Sequence, residues 1–189
     1  MKKESRETVL IGGREKREIK IVDYDPLWPR KFDEHARRII NSLENRVLLL
    51  EHVGSTSVPE LAAKPIIDID VVVADSADEA AYLPALESAG YALRVREPDW
   101  HEHRMLRTPA LDVHIHVFSP GSPEVTRHLL LRDHLRKNPD DRELYESTKR
   151  TLAKRQWNDM NEYAAAKSNV IEGILGKAGW SKRRNSPIG

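Results

Sequence analysis

The chain has no cysteine among its 189 residues, which excludes disulfides and thiolate metal sites and fits a reducing compartment. It also lacks an apolar run of about 18 residues, the length that spans a bilayer, and its first 20 residues lack the apolar segment of a signal peptide. A cytoplasmic protein with no membrane partner is therefore expected. Aromatic residues are scarce at 6%, and hydrophobic residues reach only 39%, so the core is modest; a chain of this length buries about 70% of its unfolded surface. No charge of one sign dominates. Lys and Arg number 31 against 30 Asp and Glu, and a net charge of +1 makes no global case for nucleic acid as a partner. Internal repeats and low-complexity segments are absent too, and nothing in the sequence fixes the oligomeric state.

What is present is a succession of short strands and helices. Residues 1–18 are polar and charged and suggest a flexible extension; within residues 1–20, seven Lys and Arg stand against four Glu. Glu18 to Val22 alternates enough for a short edge strand. A helix is expected from Trp28–Pro29, because proline suits the first helical turn. Phe32, His35 or Ala36, Ile39, Ile40 and Leu43 then give it an apolar face, with Trp28 plugging the core and His35 at or near the surface. Val47 to Val53 has the composition of a buried strand, and so does the run from Ile69 to Ala74. Ser76-Ala77-Asp78-Glu79 has the form of a capping box for a helix that reaches about Ser88 and stops at Gly90. Tyr91 to Glu97, Arg104 to Thr108 and Leu111 to Phe118 suggest further strands, with a polar loop from Pro98 to His103. Ser122-Pro123 opens a helix that Pro139 ends. Asp140 to about Gly176 stays helical, but the stretch is long for one helix, and a break is expected near Trp157–Asp159. The sum is an α+β fold: a mixed sheet of about four to five strands with helices packed on it, and a C-terminal helical part. Residues 19–178 are expected to form one domain, followed by a basic tail over 179–189 that carries Lys182-Arg183-Arg184.

The chemistry concentrates between residues 47 and 73. The first apolar strand ends on Gly54-Ser55-Thr56-Ser57, and twelve residues then separate Ser55 from Asp68-Ile69-Asp70. Residues i and i+2 of a strand share a face, so Asp68 and Asp70 project together, and their mutual repulsion invites a divalent cation. Mg²⁺ or Mn²⁺ is the expected cofactor, because such ions take carboxylate and phosphate oxygens. Glycine followed by small hydroxyl residues offers backbone N–H groups and hydroxyls to a phosphate tail, which makes Gly54, Ser55 and Ser57 candidate binding residues. In the strictly alternating strand, Asp112, His114 and His116 point one way. Three readings of that face stay open: a zinc site built on His-x-His, a polar face open to water, or a wall of the same cleft, with Asp112 or His116 as third site residue.

Gly-Ser, then about ten residues, then acid-apolar-acid on the next strand resembles the pattern of the nucleotidyltransferase superfamily that includes DNA polymerase β. The resemblance narrows further. Asp23-Tyr24-Asp25-Pro26-Leu27-Trp28-Pro29, Glu51-His52-Val53-Gly54-Ser55-Thr56-Ser57-Val58-Pro59, the run Leu61 to Asp70, His114 to Phe118 and Arg132 to Arg136 are similar to the GrpB family, as are Tyr145 with Lys149 and Tyr163 with Lys167. Glu60 departs from it, standing where the family usually has glycine. What the resemblance implies is a nucleotidyltransferase-like fold, sometimes fused to dephospho-CoA kinase. The expected function is metal-dependent transfer of an NMP group from a nucleoside triphosphate to a small-molecule acceptor; the alternative is a non-catalytic nucleotide- or CoA-binding module. Asp68 and Asp70 would hold the metal, Asp112 or His116 would complete it or act as base, and Lys64, Arg104, Arg132 and Lys167 would orient phosphate. His52 and His114 complete the candidate substrate contacts.

Overall fold

The computed structural model describes residues 8–15, 18–158 and 160–181. Residues 1–7, 16 and 17 of the extension expected over residues 1–18 lie outside these, as do Asp159 of the expected helix break and the basic triplet at 182–184. The chain divides into two units built from interleaved segments. The first takes in the chain up to Gly13, Leu27–His52 and Ile66–Ser122; the second takes Arg14–Pro26, Val53–Pro65 and the chain from Pro123 onward.

The first unit is organised by a six-stranded mixed sheet in the order β1-β4-β5-β6-β3-β2, formed by β1 (Val9–Leu10), β2 (Leu49–Val53), β3 (Ile67–Val72), β4 (Ala92–Glu97), β5 (His103–Arg107) and β6 (Val113–Phe118). That is one strand more than expected. The extra strand is β1, a two-residue edge paired antiparallel with β4, where Val9 lies opposite Arg96. The edge strand expected at 18–22 reduces to a single bridge between Val22 and Ala63, which belongs to the second unit. Alternation in β6 shows directly in burial: Val113, Ile115 and Val117 are fully enclosed, while His114 and His116 are only partly covered. Ile67, Ile69 and Val71 are fully enclosed in β3, where Asp70 and Val72 of the other face are buried as well. Each such side chain contributes about 1.5–3 kcal/mol by leaving water, and two helices provide the cover. The helix α1 (Trp28–Leu43) packs against β3 and against α2 (Leu83–Ser88), which in turn packs on β4. Trp28, Ile39 and Leu43 point inward as its spacing predicts, whereas Ile40 stays exposed. His35 is buried rather than superficial, with Nδ1 2.7 Å from the Tyr91 hydroxyl. The expected capping box does not form. Ser76 is enclosed and shares a 2.9 Å hydrogen bond with Ser119, and Glu79 pairs with Arg96 and Arg104, leaving α2 to start later beside Pro84.

The second unit is helical: α3 (Pro123–Lys137), α4 (Pro139–Ala153), α5 (Met160–Ala166) and α6 (Ser168–Lys177). The long helical stretch therefore breaks after Ala153, as anticipated, and a second time at Lys167. Leu135, Tyr145 and Ile174 from three of these helices enclose Val58 and Leu61 of the loop segment. The loop is also tied by polar contacts, since both Arg136 nitrogens facing it donate to the Ser57 carbonyl, Glu146 accepts from the Ala62 amide, and the Lys149 ammonium donates to the Ala62 carbonyl.

Candidate functional site

Parallel pairing of β3 with β6 sets the register Asp68 opposite His114 and Asp70 opposite His116. Cross-strand partners share a face, so the polar face of the sheet collects two acids and two imidazoles from sequence-distant strands. Asp68 Oδ1 lies 3.5 Å from His114 Nδ1 and 3.4 Å from His116 Nε2. Burial opposes ionisation of Asp68, but hydrogen bonds and charge from the two imidazoles outweigh it and hold the carboxyl far below the usual carboxylate range. Burial likewise pushes the His116 imidazole down, and the contact with Asp68, helped by the charges of Asp70 and Glu97, more than offsets it, so the net shift is upward. The three donor atoms all lie within 4.8 Å of one another, a set that can hold a divalent cation. Asp70, the other acid of the expected pair, is wholly buried and lies outside this group of three donors.

Asp112 is also placed differently. It lies just before β6, its carboxylate bonded to the Lys31 ammonium at 2.5 Å and to the Thr108 hydroxyl at 2.6 Å. Burial raises its pKa and these two partners lower it further than burial raises it, leaving it below the ordinary value. It anchors α1 to the start of β6 and lies outside the cluster of Asp68, His114 and His116. Of the two candidates it is His116 that stands beside Asp68. Arg104 faces away, opposite Val117 in the sheet register, enclosed and paired at 2.6 Å with Glu79. His52 is enclosed with its ring stacked on Phe32 at 4.7 Å.

In the second unit, Gly54 has φ 69°, a conformation that side chains rarely adopt, and it opens a tight turn over Ser55–Ser57. Gly54 and Ser55 line a cleft of about 50 Å³ with His128, Arg132 and Tyr145. Of the expected phosphate contacts, Gly54, Ser55 and Arg132 thus come together, and Arg132 also donates to Asp133 at 2.8 Å. Ser57 does not join them, because its hydroxyl folds back onto the Gly54 carbonyl at 2.6 Å. The ammoniums of Lys64 and Lys167 lie over the Tyr163 ring, 5.2 and 4.8 Å from its centre.

A profile described as GrpB protein matches residues 18–177. The chain belongs to the GrpB family. It is 52% identical over 85% of its length to a UPF0157 protein of Halalkalibacterium halodurans, covering 82% of that relative. A UPF0157 protein of Streptomyces coelicolor is 53% identical, with 92% of this chain and 91% of that one aligned. The crystal structure of the conserved protein GrpB from Enterococcus faecalis matches 85% of this chain and all of its own with a TM-score of 0.71, at 31% identity. More distant relatives are named dephospho-CoA kinase, and the chain spans 43% of the one from Mycolicibacterium paratuberculosis. Among the described residues of this GrpB-family chain, no helix is long and apolar enough to cross a membrane.

Two further features escaped the sequence. His103 opens β5 instead of closing a loop, and it links Glu97 to His116 through contacts of 2.8 and 3.1 Å. Its equal distance in register from the β4–β5 turn is the only signal that pairs it with Glu97. Lys149 is 2% exposed, with its ammonium 4.7 Å from the centre of the Tyr145 ring. Burial, followed by repulsion from Lys167, pushes it down to about 7. Its spacing of one helical turn from Tyr145 was visible, but the depth was not.

Proposed function

We propose that the protein is a metal-dependent nucleotidyltransferase that moves an NMP group from a nucleoside triphosphate to a small-molecule acceptor. The observation that carries this reading is the β3–β6 register, which sets Asp68 against His114 and Asp70 against His116 on one polar sheet face. A divalent ion held by Asp68, His114 and His116 would neutralise charge on the α-phosphate. The chemistry joins an acceptor oxygen or nitrogen to the α-phosphorus, breaks the bond from that phosphorus to the bridging oxygen, and releases pyrophosphate. The acceptor proton passes to a base; with His116 engaged on the ion, Asp70, opposite it in the register, is suited to that by type. The cleft of the second unit, taken by itself, has in Gly54, Ser55, His128 and Arg132 donors suited to a phosphate group. One observation favours a second reading, a nucleotide- or CoA-binding module without chemistry: relatives named dephospho-CoA kinase contain a stretch similar to this chain.

The test is calorimetric binding of ATP and CTP with and without Mn²⁺, followed by pyrophosphate release across a panel of hydroxyl and amine acceptors. The transferase reading expects metal-dependent binding, which falls at least about 100-fold in Asp68→Asn/Asp70→Asn with the fold retained by circular dichroism, together with pyrophosphate from some acceptor. Binding without pyrophosphate from any acceptor selects the module. Absence of nucleotide binding in every condition rejects both.

A further inference from the structure

We propose that Glu97 and His103 are positioning residues that fix the tautomer of His116, so that its Nε2 lone pair joins Asp68 and His114 around a zinc-class ion. This rests on the metal reading of the Asp68 cluster and names the class of ion and the residues behind it.

Three adjacent strands carry the arrangement. Glu97 of β4 lies opposite His103 of β5, and Met105, two residues further on, lies opposite His116 of β6. His103 Nδ1 is 2.8 Å from Glu97 Oε2, and its Nε2 is 3.1 Å from His116 Nδ1. The two imidazoles are within 18° of parallel, so the bond between them runs close to both ring planes. His103 is 5% exposed, with Phe118 stacked on it at 4.9 Å and Trp100 edge-on at 5.1 Å, which holds its ring angle.

Proton placement follows from donor chemistry. An ionised carboxylate only accepts, so Glu97 takes the Nδ1–H of His103. Neutral His103 then has its lone pair on Nε2, and the bond to His116 has to be donated by His116 Nδ1–H. With Nδ1–H committed to His103, the Nε2 proton that faces Asp68 at 3.4 Å is the one an arriving ion displaces, leaving the Nε2 lone pair as its ligand. A carboxylate behind a ligating imidazole does the same work in metal sites generally.

Donor type points to the ion, and the two separations from Asp68 agree with it. With bonds of about 2.0–2.1 Å and tetrahedral angles, neighbouring donors stand about 3.4 Å apart. Octahedral Mg²⁺ with similar bonds calls for about 2.9 Å, and it prefers oxygen throughout. The separations from Asp68 Oδ1 are 3.4 and 3.5 Å, and two of the three donors are nitrogen. Three protein ligands leave a fourth position for water or substrate.

The experiment titrates the full, nucleotide-free chain with Zn²⁺ and with Mg²⁺ by calorimetry, and reads histidine nitrogens by long-range NMR at alkaline pH. One Zn²⁺ per chain is expected, with no comparable Mg²⁺ binding, and His116→Gln abolishes it. Glu97→Ala and His103→Phe should weaken Zn²⁺ about 10–100-fold, and Glu97→Gln, which keeps an accepting oxygen, should recover most of the loss. In the Zn²⁺-loaded chain His103 should carry its proton on Nδ1, toward Glu97, a preference lost in Glu97→Ala. Unchanged Zn²⁺ affinity in Glu97→Ala, a His103 proton on Nε2 in the loaded chain, or no Zn²⁺ binding at all overturns the proposal. Since no nucleotide is present, a negative pyrophosphate assay leaves this result standing, and the reverse holds too.

Discussion

Asp68 in the first unit and Lys149 in the second are both drawn away from water, yet their neighbours treat them in opposite ways. Asp68 meets two imidazoles that supply compensating charge and hydrogen bonds. Lys149 has one carboxylate in its field, Glu146, against three cations: Lys167, Arg150 and Lys64. Burial penalises charge in both places, and only in the first do the partners outweigh it. The consequence is a difference in the sign of pH dependence. His116, raised above 6.5, contributes stability that is complete below 6.5 and lost as pH climbs through its folded value. Asp68, depressed from 3.8, contributes stability present above that value and lost only in strong acid. Lys149 runs the other way. Between about 7 and the ordinary 10.5 the unfolded chain holds a proton that the folded chain lacks, so stability rises with pH there. Below about 7 both states are protonated and the folded one bears the full cost of the buried ammonium.

The contrast can be broken most strongly at Lys149. A shift of this size corresponds to a few kcal/mol, so the wild-type contribution from this group should grow visibly from pH 7 to 10. Lys149→Met should remove that slope. It leaves the Ala62 carbonyl without its donor, at a cost of about 1–3 kcal/mol. The variant should therefore melt above wild type near pH 6.5 and below it near pH 10, and parallel melting curves at both pH values would refute the buried-amine account. A smaller effect is expected from His116→Gln in metal-free protein, where the loss of stability on raising pH through the imidazole titration should disappear. Calorimetric scans with a chelator present, between pH 6 and 9, would show it. Smallest is Glu60→Gly. Glu60 has φ 65°, in the left-handed region, and its bond to Arg142 comes from a side chain that is 77% exposed and so adds little. Relief of about 1 kcal/mol is partly cancelled by glycine's freer unfolded chain. A melting temperature higher by at most about 4 °C is expected, and a decrease would show that the Arg142 pair matters.

That last position shows how far sequence can reach. The family resemblance led to the expectation of glycine at 60, and the φ of 65° found for Glu60 is a conformation that glycine adopts most easily. Strict alternation over 111–118 revealed β6 and its two faces, and Trp28-Pro29 marked the start of α1, because both signals are local. What could not be seen was decided by partners far along the chain. Lys31 captures Asp112, and Ser119 takes the serine that looked like a helix cap. His103 looked like loop because its meaning lies across two strands, with Glu97 on one side and His116 on the other. Spacing along one strand put Asp68 and Asp70 on a common face, but the parallel register that brings two imidazoles to Asp68 lies across strands and could not be read from it.

Because its donors come from two strands that meet only when the sheet has closed, an ion in this cluster has nothing to grasp in a half-assembled chain. The slow long-range pairing of β3 with β6 has to be completed unaided. An ion arriving afterwards would act as a latch, lengthening the lifetime of the finished sheet while leaving the rate of its construction unchanged.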